Sequence, residues 1–345
     1  MRADDDCPAA KIVELERPRW VKHRVAPRER AEQIAHRYRV SPEELRAWNQ
    51  LSAQGEPATG RVLRIHTRRP SPARERIDVV VEEGDTWWSV AARYGVDSKD
   101  LRAYNWPYEH KMTPGQTLHV WADPLLVGWI QRAEPVLPPP ESGLVRRGGV
   151  GIGPPQSGRL LNGVRIPDGP GYALRFPEMA HGTTFAVEAL LAALRRFQAS
   201  SNYRGVIRIG SMSTPRGGPI GSHRSHQTGR DVDIRLPRRV GVPRGIPLTH
   251  ARIDWLAAWH LVLAFDTPEV AVIFLDTATQ RRLHRAAKAA GASPETIARI
   301  LRYPPGGHAM TTLVQHAPGH DVHMHVRFRC GPCEPECVES SKLDP

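Results

Sequence analysis

The sequence of 345 residues lacks any run of 18 apolar residues, which is about the shortest stretch that crosses a bilayer as a helix. It therefore predicts no transmembrane segment. The first ten residues, MRADDDCPAA, are acidic and lack the apolar centre of a secretory signal. There is no HExxH motif and no block of Lys and Arg of the nuclear-targeting kind. These absences exclude a zinc-protease site of the HExxH type and a recognisable nuclear localisation signal.

Cysteine is scarce, and three of the four cysteines lie near the C-terminus in the stretch CGPCEPEC: they are Cys7, Cys330, Cys333 and Cys337. A Cys-x2-Cys-x3-Cys pattern is compatible with a zinc knuckle, but the residues after it provide no fourth His or Cys. The pattern better fits an exported protein whose C-terminal segment is held by disulfides. Four cysteines allow three pairings, and the sequence alone does not choose among them.

Composition indicates a multidomain protein with a basic surface. The length predicts two to three domains, and 40% hydrophobic residues are enough to build real cores. The 32 prolines and 29 glycines indicate long connecting segments. The formal net charge of +12 favours a polyanionic partner, which includes nucleic acid, anionic lipid and acidic wall polymers. Charge alone does not choose among them.

An internal repeat occupies the first third of the chain. The stretches IAHRYRVSPEELRAWN (34–49) and VAARYGVDSKDLRAYN (90–105) align without gaps, with eight of sixteen positions identical. Each has a short strand pattern before it and another after it, and the apolar residues within it recur at helical spacing. The sequence therefore predicts two small modules, each ordered strand, helix, helix, strand. The Asn that closes each helix pair suits a cap or turn.

The second copy, residues 77–121, contains a GDT turn, a YGV signature, an LxxxN segment and a GQxL strand. With these motifs it resembles a LysM module. The first copy, residues 22–66, is a degenerate version, since APRERAEQ replaces the GDT turn. The resemblance implies an anchor for glycans that contain N-acetylglucosamine, either peptidoglycan or chitin. The alternative is that one or both copies are structural and no longer bind sugar.

The rest of the chain divides by composition into an N-terminal segment, a Pro/Gly-rich linker, a compact domain and a tail, at residues 1–21, 122–157, 158–337 and 338–345. In the compact domain, residues 183–201 predict an amphipathic helix. Strand and helix patterns alternate there without a regular βαβ repeat, which favours the α+β class.

Two stretches of the compact domain concentrate groups that bind metals. Residues 213–236 include a Gly-rich loop and then DVDIRL, a strand pattern that places Asp231 and Asp233 on one face. Residues 320–330, HDVHMHVRFRC, likewise place His323 and His325 on one face of a strand. Catalytic zinc takes three protein ligands and leaves a fourth position open. A loop His, a strand Asp and a strand His would provide that set.

The motifs PRGGP, SHRSHQTGRDVDI and HDVHMHVRFRC together resemble those of the penicillin-insensitive murein endopeptidases, relatives of lysostaphin and the D-Ala-D-Ala metallopeptidases. The resemblance runs from about residue 158 to 337 and implies an α+β zinc peptidase domain of that type. It implies that zinc is bound by His226, Asp233 and His325. It also implies that His323 is the general base or electrostatic partner and that His320 supports it.

Other residues near these motifs receive less specific roles. In the family, the residue matching His223 can help to hold a second metal. Arg216 is either a clamp for a substrate carboxylate or a loop residue that holds its own turn. Asp231 suits the orientation of ligand imidazoles better than metal binding. The resemblance also implies a disulfide between Cys330 and Cys337, which leaves Cys333 with Cys7 as its candidate partner.

The sequence thus predicts a zinc-dependent endopeptidase that hydrolyses peptide cross-links in murein, D-Ala to diaminopimelate, and is targeted to the wall by LysM modules. Its place is the periplasm or the cell exterior, although no signal peptide is visible. The alternative is an inactive peptidoglycan-binding scaffold, against which the intact set of His and Asp residues argues. Binding to nucleic acid rests on charge alone, so no nucleic-acid partner is predicted.

Overall fold

The structure is a computed structural model that describes residues 15–106, 112–132, 145, 148–221, 223–243, 245–304, 312–334 and 336–339. The chain divides into two compact units. Unit 1 comprises Met1–Leu137, Arg146–Gly153 and Pro332–Val338. Unit 2 comprises Pro138–Val145, Pro154–Gly331 and Glu339–Pro345. Among the described residues, no helix combines the length and the apolar character that a bilayer span requires.

The first module of unit 1 has the predicted order. It consists of β1 (Arg19–Arg24), α1 (Ala31–Tyr38), α2 (Pro42–Trp48) and β2 (Val62–Thr67). Strands β1 and β2 pair antiparallel, and the two helices pack on them through a small buried core. Helix α2 begins at a capping box, in which the Ser41 side chain accepts a hydrogen bond from the Glu44 backbone N–H.

The second module repeats this order. It consists of β3 (Glu75–Val80), α3 (Trp87–Tyr94), α4 (Ser98–Tyr104) and β4 (Thr117–Ala122). Trp87 is buried in the core of this module. A further helix, α5 (Pro124–Arg132), follows β4 where the sequence predicts the start of a linker. It forms there because Asp123 accepts a hydrogen bond from the Leu125 N–H and because Val127 adds to the apolar core.

The Asn that closes each helix pair is more than a cap. The Asn49 side chain donates to the carbonyls of Leu45 and Arg64, and its Oδ1 accepts from the Arg64 N–H, all at 2.8 Å. Asn105 makes the same three bonds to Leu101 and His119. Each Asn therefore joins the end of the second helix to the last strand of its own module.

Unit 1 also contains a network of ion pairs around Arg37, whose side chain is 1% exposed. Arg37 Nη1 lies 2.5 Å from Asp123 Oδ2 and 3.8 Å from Glu336 Oε1. Glu336 in turn accepts a 2.7 Å hydrogen bond from Arg74, which lies 3.5 Å from Glu29. The network joins the first module, the end of the second module and the segment Pro332–Val338.

Unit 2 contains a six-stranded mixed sheet in the order β13-β12-β14-β11-β10-β8. The strands of the sheet are β8 (Tyr172–Leu174), β10 (Ile207–Ile209), β11 (Asp231–Arg235), β12 (Val270–Leu275), β13 (Val314–His316) and β14 (His323–Phe328). Outside this sheet, unit 2 has the short strands β6 (Arg159–Leu161), β7 (Val164–Arg165) and β9 (His181–Gly182). The short strand β5 (Val150–Ile152) belongs to unit 1.

The described residues of unit 2 form four α-helices: α6 (Thr184–Ser200), α7 (Trp255–Ala264), α8 (Thr277–Ala289) and α9 (Pro294–Ile300). The large core of this unit includes apolar residues of these helices and of the sheet. Helix α6 begins at Thr183, whose hydroxyl accepts a hydrogen bond from the Ala186 N–H, as the sequence predicts. The mixture of helices with a mostly antiparallel sheet confirms the α+β class.

The cysteines near the C-terminus are oxidised. Cys330 and Cys337 form a disulfide, which confirms the pairing that the resemblance implies. Cys333 is also disulfide-bonded. Its predicted partner, Cys7, lies outside the described residues.

We expect replacement of Arg37 to destabilise unit 1. In Arg37→Met the buried carboxylate of Asp123 loses its partner, and breaking a buried ion pair in this way typically costs about 3–5 kcal/mol. The unfolding transition of unit 1 should move to lower denaturant concentration, as followed by tryptophan fluorescence. Arg19→Met, the same change at an exposed position of β1, should alter the free energy of unfolding by no more than about 0.5 kcal/mol. Equal transitions for the two variants would contradict a stabilising role of the network.

Candidate active site

The candidate site lies on one face of the sheet, where β11 and β14 pair antiparallel. Their register sets three pairs of residues directly opposite one another: Asp231 with Arg327, Asp233 with His325, and Arg235 with His323. Since alternate residues of a strand share a face, all six side chains are on the same side of the sheet. The alternate positions, Val232, Ile234, Met324 and Val326, are fully buried in the core on the other side.

Three imidazoles surround one oxygen of Asp233. Asp233 Oδ1 lies 3.3 Å from His325 Nδ1, 3.6 Å from His226 Nε2 and 3.8 Å from His323 Nε2. Two donors that each bind a tetrahedral zinc at about 2.0–2.2 Å lie roughly 3.3–3.6 Å apart. The separations of His325 and His226 from Asp233 match this spacing. The three residues whose donor atoms all lie within 4.8 Å of one another are His223, His226 and Asp233, so this part of the cluster can hold a metal ion as it stands.

The backbone fixes the orientation of His226. This residue has a left-handed conformation with a φ of 70° at the end of the loop before β11. Its Nδ1 lies 2.9 Å from the Met212 carbonyl and 3.1 Å from the Asp231 carbonyl. Carbonyl oxygens only accept hydrogen bonds, so Nδ1 carries the proton and Nε2 presents a lone pair toward Asp233.

The environment favours a positive charge between the donors. His226 Nε2 and Asp233 Oδ1 are buried and have no hydrogen-bond partner. Burial, together with the charge of His325, lowers the pKa of His226 to about 4. Burial alone would also lower the pKa of His325, but the carboxylates of Asp231 and Asp233 raise it to about 9. A divalent cation would satisfy both orphan atoms and replace the proton that these carboxylates hold on His325.

Behind the donors lies a buried ion pair. Asp231 is fully buried and accepts two hydrogen bonds from the guanidinium of Arg327, at 2.8 and 3.0 Å. Its Oδ2 lies 3.5 Å from Nε2 of His325, on the side of that ring away from Nδ1. Burial opposes ionisation of Asp231, but Arg327 and His325 lower its pKa well below the ordinary value. The predicted role of Asp231, which is to orient ligand imidazoles rather than to bind the ion itself, stays a prediction.

The opposite side of the cluster is accessible. The His323 side chain is 22% exposed, and its ring lies 4.9 Å from that of His320. His320 Nδ1 donates to the Pro318 carbonyl at 3.0 Å, which leaves its Nε2 without a proton. The His223 side chain is 43% exposed, and its Nδ1 lies 4.0 Å from Asp233 Oδ2. Donor atoms of His223, His226 and Asp233 all lie within 4.8 Å of one another, which keeps His223 available to a metal.

The structure thus brings together the seven predicted His and Asp residues of the two motifs, while Arg216 lies exposed in the loop before His223 and its role as a clamp stays a prediction. Sequence reasoning missed Arg327. The signal was present, because Arg327 is two residues beyond His325 and Asp231 two residues before Asp233. Only the pairing of the two strands shows that these positions meet.

We expect Asp231→Asn to weaken metal binding. The amide keeps the shape but loses the charge that holds Arg327 and His325, and loss of such a supporting partner typically lowers metal affinity about 10–100-fold. Titration against a chelator of known affinity measures the change. Asp168→Asn makes the same replacement at a carboxylate that is 82% exposed, and it should bind metal as the wild type does. Unchanged affinity in Asp231→Asn would show that Asp231 does not support the donors.

Comparisons with known proteins identify the families that the chain resembles. The family model described as penicillin-insensitive murein endopeptidase matches residues 151–345, and that of the LysM domain matches 23–66 and 79–121. The penicillin-insensitive murein endopeptidase of Yersinia enterocolitica is 30% identical over 166 residues, which cover 43% of this chain and 54% of the relative. The protein of the same name from Yersinia pestis bv. Antiqua (strain Antiqua) is 28% identical over 165 residues, with the same coverage. The chain thus spans about half the length of these curated relatives.

Among solved structures, the spore cortex-lytic enzyme SleL of Bacillus cereus covers 29% of this chain and 22% of its own, with 20% identity and a TM-score of 0.14. A TM-score this low carries no argument about the fold. The family match is different in kind, because it covers more than half of the sequence and contains both motifs. The chain belongs to the penicillin-insensitive murein endopeptidase family, and it has two LysM domains before the peptidase region.

Proposed function

We propose that this protein is a zinc-dependent endopeptidase that hydrolyses peptide cross-links of murein, between D-Ala and diaminopimelate. The observation that carries the proposal is the convergence of His226, His325 and His323 on one oxygen of Asp233. Membership of the family supports the same reaction. The substrate places the protein in the cell envelope, in the periplasm or outside the cell.

Within this proposal, His226, Asp233 and His325 would hold the ion. Two imidazole nitrogens and one carboxylate oxygen are a donor set that suits catalytic zinc and leaves one position for substrate or water. When bound, zinc supplies a Lewis acid for the scissile carbonyl and makes water a stronger acid. His223 is the candidate donor for a second ion, since it approaches the other oxygen of Asp233.

His323 is the proposed general base. Burial lowers its pKa to about 4, which keeps the imidazole neutral and able to accept a proton near pH 7. Its Nε2 faces the metal donors, while part of the ring reaches solvent. His320 lies against it, held by the Pro318 carbonyl, and supports its position. The proton taken from water would pass from His323 to the leaving amine.

The paired strands also support a proposal about the fold. We assign unit 2 to the type of lysostaphin and the D-Ala-D-Ala metallopeptidases. The support is a donor set divided between a loop His, an Asp on one central strand and a His on the antiparallel strand beside it. The LysM domains would bind the glycan strands of the same polymer, and unit 2 its stem peptides.

We expect His323→Ala and His325→Ala to fail in different ways. His323→Ala should keep about one zinc per chain and lose about 10²–10⁴-fold in turnover, the usual contribution of a general base. His325→Ala should lose zinc and activity together, because it removes a ligand. Metal analysis of the purified variants and mass spectrometry of digested cross-linked muropeptides give the two readouts.

His284→Ala is the matched control, since His284 is on α8 and packs against Tyr303. It should keep both zinc and turnover. If His323→Ala loses its zinc as completely as His325→Ala, His323 is a ligand and His320 becomes the candidate base. A wild-type protein that holds zinc but cleaves no cross-link would favour the inactive scaffold instead.

We expect binding to the wall to be independent of the metal. Protein stripped of metal by a chelator should still sediment with insoluble peptidoglycan, because unit 1 lacks the proposed zinc ligands. Soluble oligomers of N-acetylglucosamine should release it in proportion to their concentration. Release by a soluble stem peptide, with no effect of the sugar, would contradict the role of the LysM domains.

A further inference from the structure

A cleft lined by arginine lies in unit 2, next to the candidate active site. Its volume is about 560 Å³. Six arginines contribute to its wall: Arg175, Arg204, Arg208, Arg235, Arg238 and Arg239. No Asp or Glu is among the described residues that line it. A concave surface with one sign of charge concentrates oppositely charged ligands, so the cleft suits an anion.

The strand register connects this cleft to His323, the proposed general base. Arg235 on β11 is directly opposite His323 on β14. On the other side of β11, Ile234 pairs with Ile209 of β10, and continuing this antiparallel register places Arg208 opposite Arg235. Arg208, Arg235 and His323 therefore form one row across three adjacent strands, on the face that holds Asp233. Adjacent strands lie about 4.8 Å apart, so the Cα atoms of Arg235 and Arg208 lie about 5 and 10 Å from that of His323.

The three arginines nearest the sheet are Arg175, Arg208 and Arg235. Among the described residues, no carboxylate forms an ion pair with Arg175, Arg208 or Arg235. Burial, and then the positive charges of Arg235 and Arg208, lower the pKa of Arg175 and outweigh the opposing effect of Asp233. All three side chains are half-buried, which makes this repulsion stronger than it would be on an open surface. A bound anion would relieve it.

We propose that this cleft, which we call the arginine cleft, binds a free carboxylate of the peptide substrate. The proposal rests on the endopeptidase function proposed above and names a determinant of its specificity. A guanidinium accepts a carboxylate through two parallel hydrogen bonds. Because an extended peptide advances about 3.3–3.6 Å per residue, the carboxylate would belong to a residue within about three positions of the scissile bond. The cleft would thus select stem peptides whose side-chain or terminal carboxyl groups are not amidated.

The test compares Arg208→Gln with wild type on two cross-linked muropeptides, one with free carboxyl groups and one with the same groups amidated. For the free substrate, the variant should raise KM about 10–100-fold, the usual range for a lost hydrogen bond between charged groups, with little change in kcat. For the amidated substrate, wild type should already show the raised KM, and the substitution should add little. Arg208→Lys should recover part of the discrimination between the two substrates, because lysine restores the charge but not the two parallel hydrogen-bond donors of a guanidinium.

Arg281→Gln removes the same charge from an exposed position of α8 and should behave as wild type on both substrates. Zinc content equal to wild type shows that the Arg208 variants retain the metal site. The proposal is overturned if wild type cleaves both substrates with the same KM. It is also overturned if Arg208→Gln raises the KM of both substrates equally, as loss of a general attraction to polyanions would do. A wild-type protein that cleaves neither substrate overturns the proposed function, and this proposal with it.

Discussion

The antiparallel pairing of β11 with β14 is the interaction on which the candidate site depends. A slip of β14 by one residue would turn His323 and His325 into the apolar core, and a slip of β11 would do the same to both aspartates. A slip of two residues keeps every side chain on its face, so burial alone does not exclude it. The bidentate pair between Asp231 and Arg327 does, because any other register leaves a fully buried carboxylate without its cation. The ion pair therefore sets the alignment of the metal donors.

Charge changes sign across this face of the sheet. Two ionised carboxylates lie beneath the imidazoles, and a group of arginines begins one residue pair farther along, at Arg235. The electrostatic effect of this separation of charge is stronger in a partly buried setting than on an open surface, because the effective dielectric constant is lower. A metal ion held by the donors and a peptide carboxylate held by the arginines would together orient a peptide lying across β10, β11 and β14. Position and direction of the substrate would then come from the same sheet that provides the chemistry.

Much of the molecule can be predicted from local sequence patterns. The internal repeat predicts both small modules, and the period of two within a strand pairs His323 with His325 and Asp231 with Asp233. The features that the sequence does not predict depend on contacts between distant segments. Arg327 and Arg208 acquire their neighbours only through strand pairing, and Arg37 is buried although arginine is almost always exposed. The conformation of His226 likewise depends on the loop around it and not on its own preference.

The network around Arg37 has a consequence for the order in which the chain acquires its structure. Glu336 meets Arg74 across 262 residues of sequence, so unit 1 includes a segment that is synthesised after the strands of the peptidase sheet. Until that segment arrives, the carboxylates available to Arg37 and Arg74 are Asp123 and Glu29. The two LysM modules would thus remain incompletely neutralised while the peptidase region is made. Closing so long a loop is a late event of folding, so unit 1 is completed only after β14 has been made.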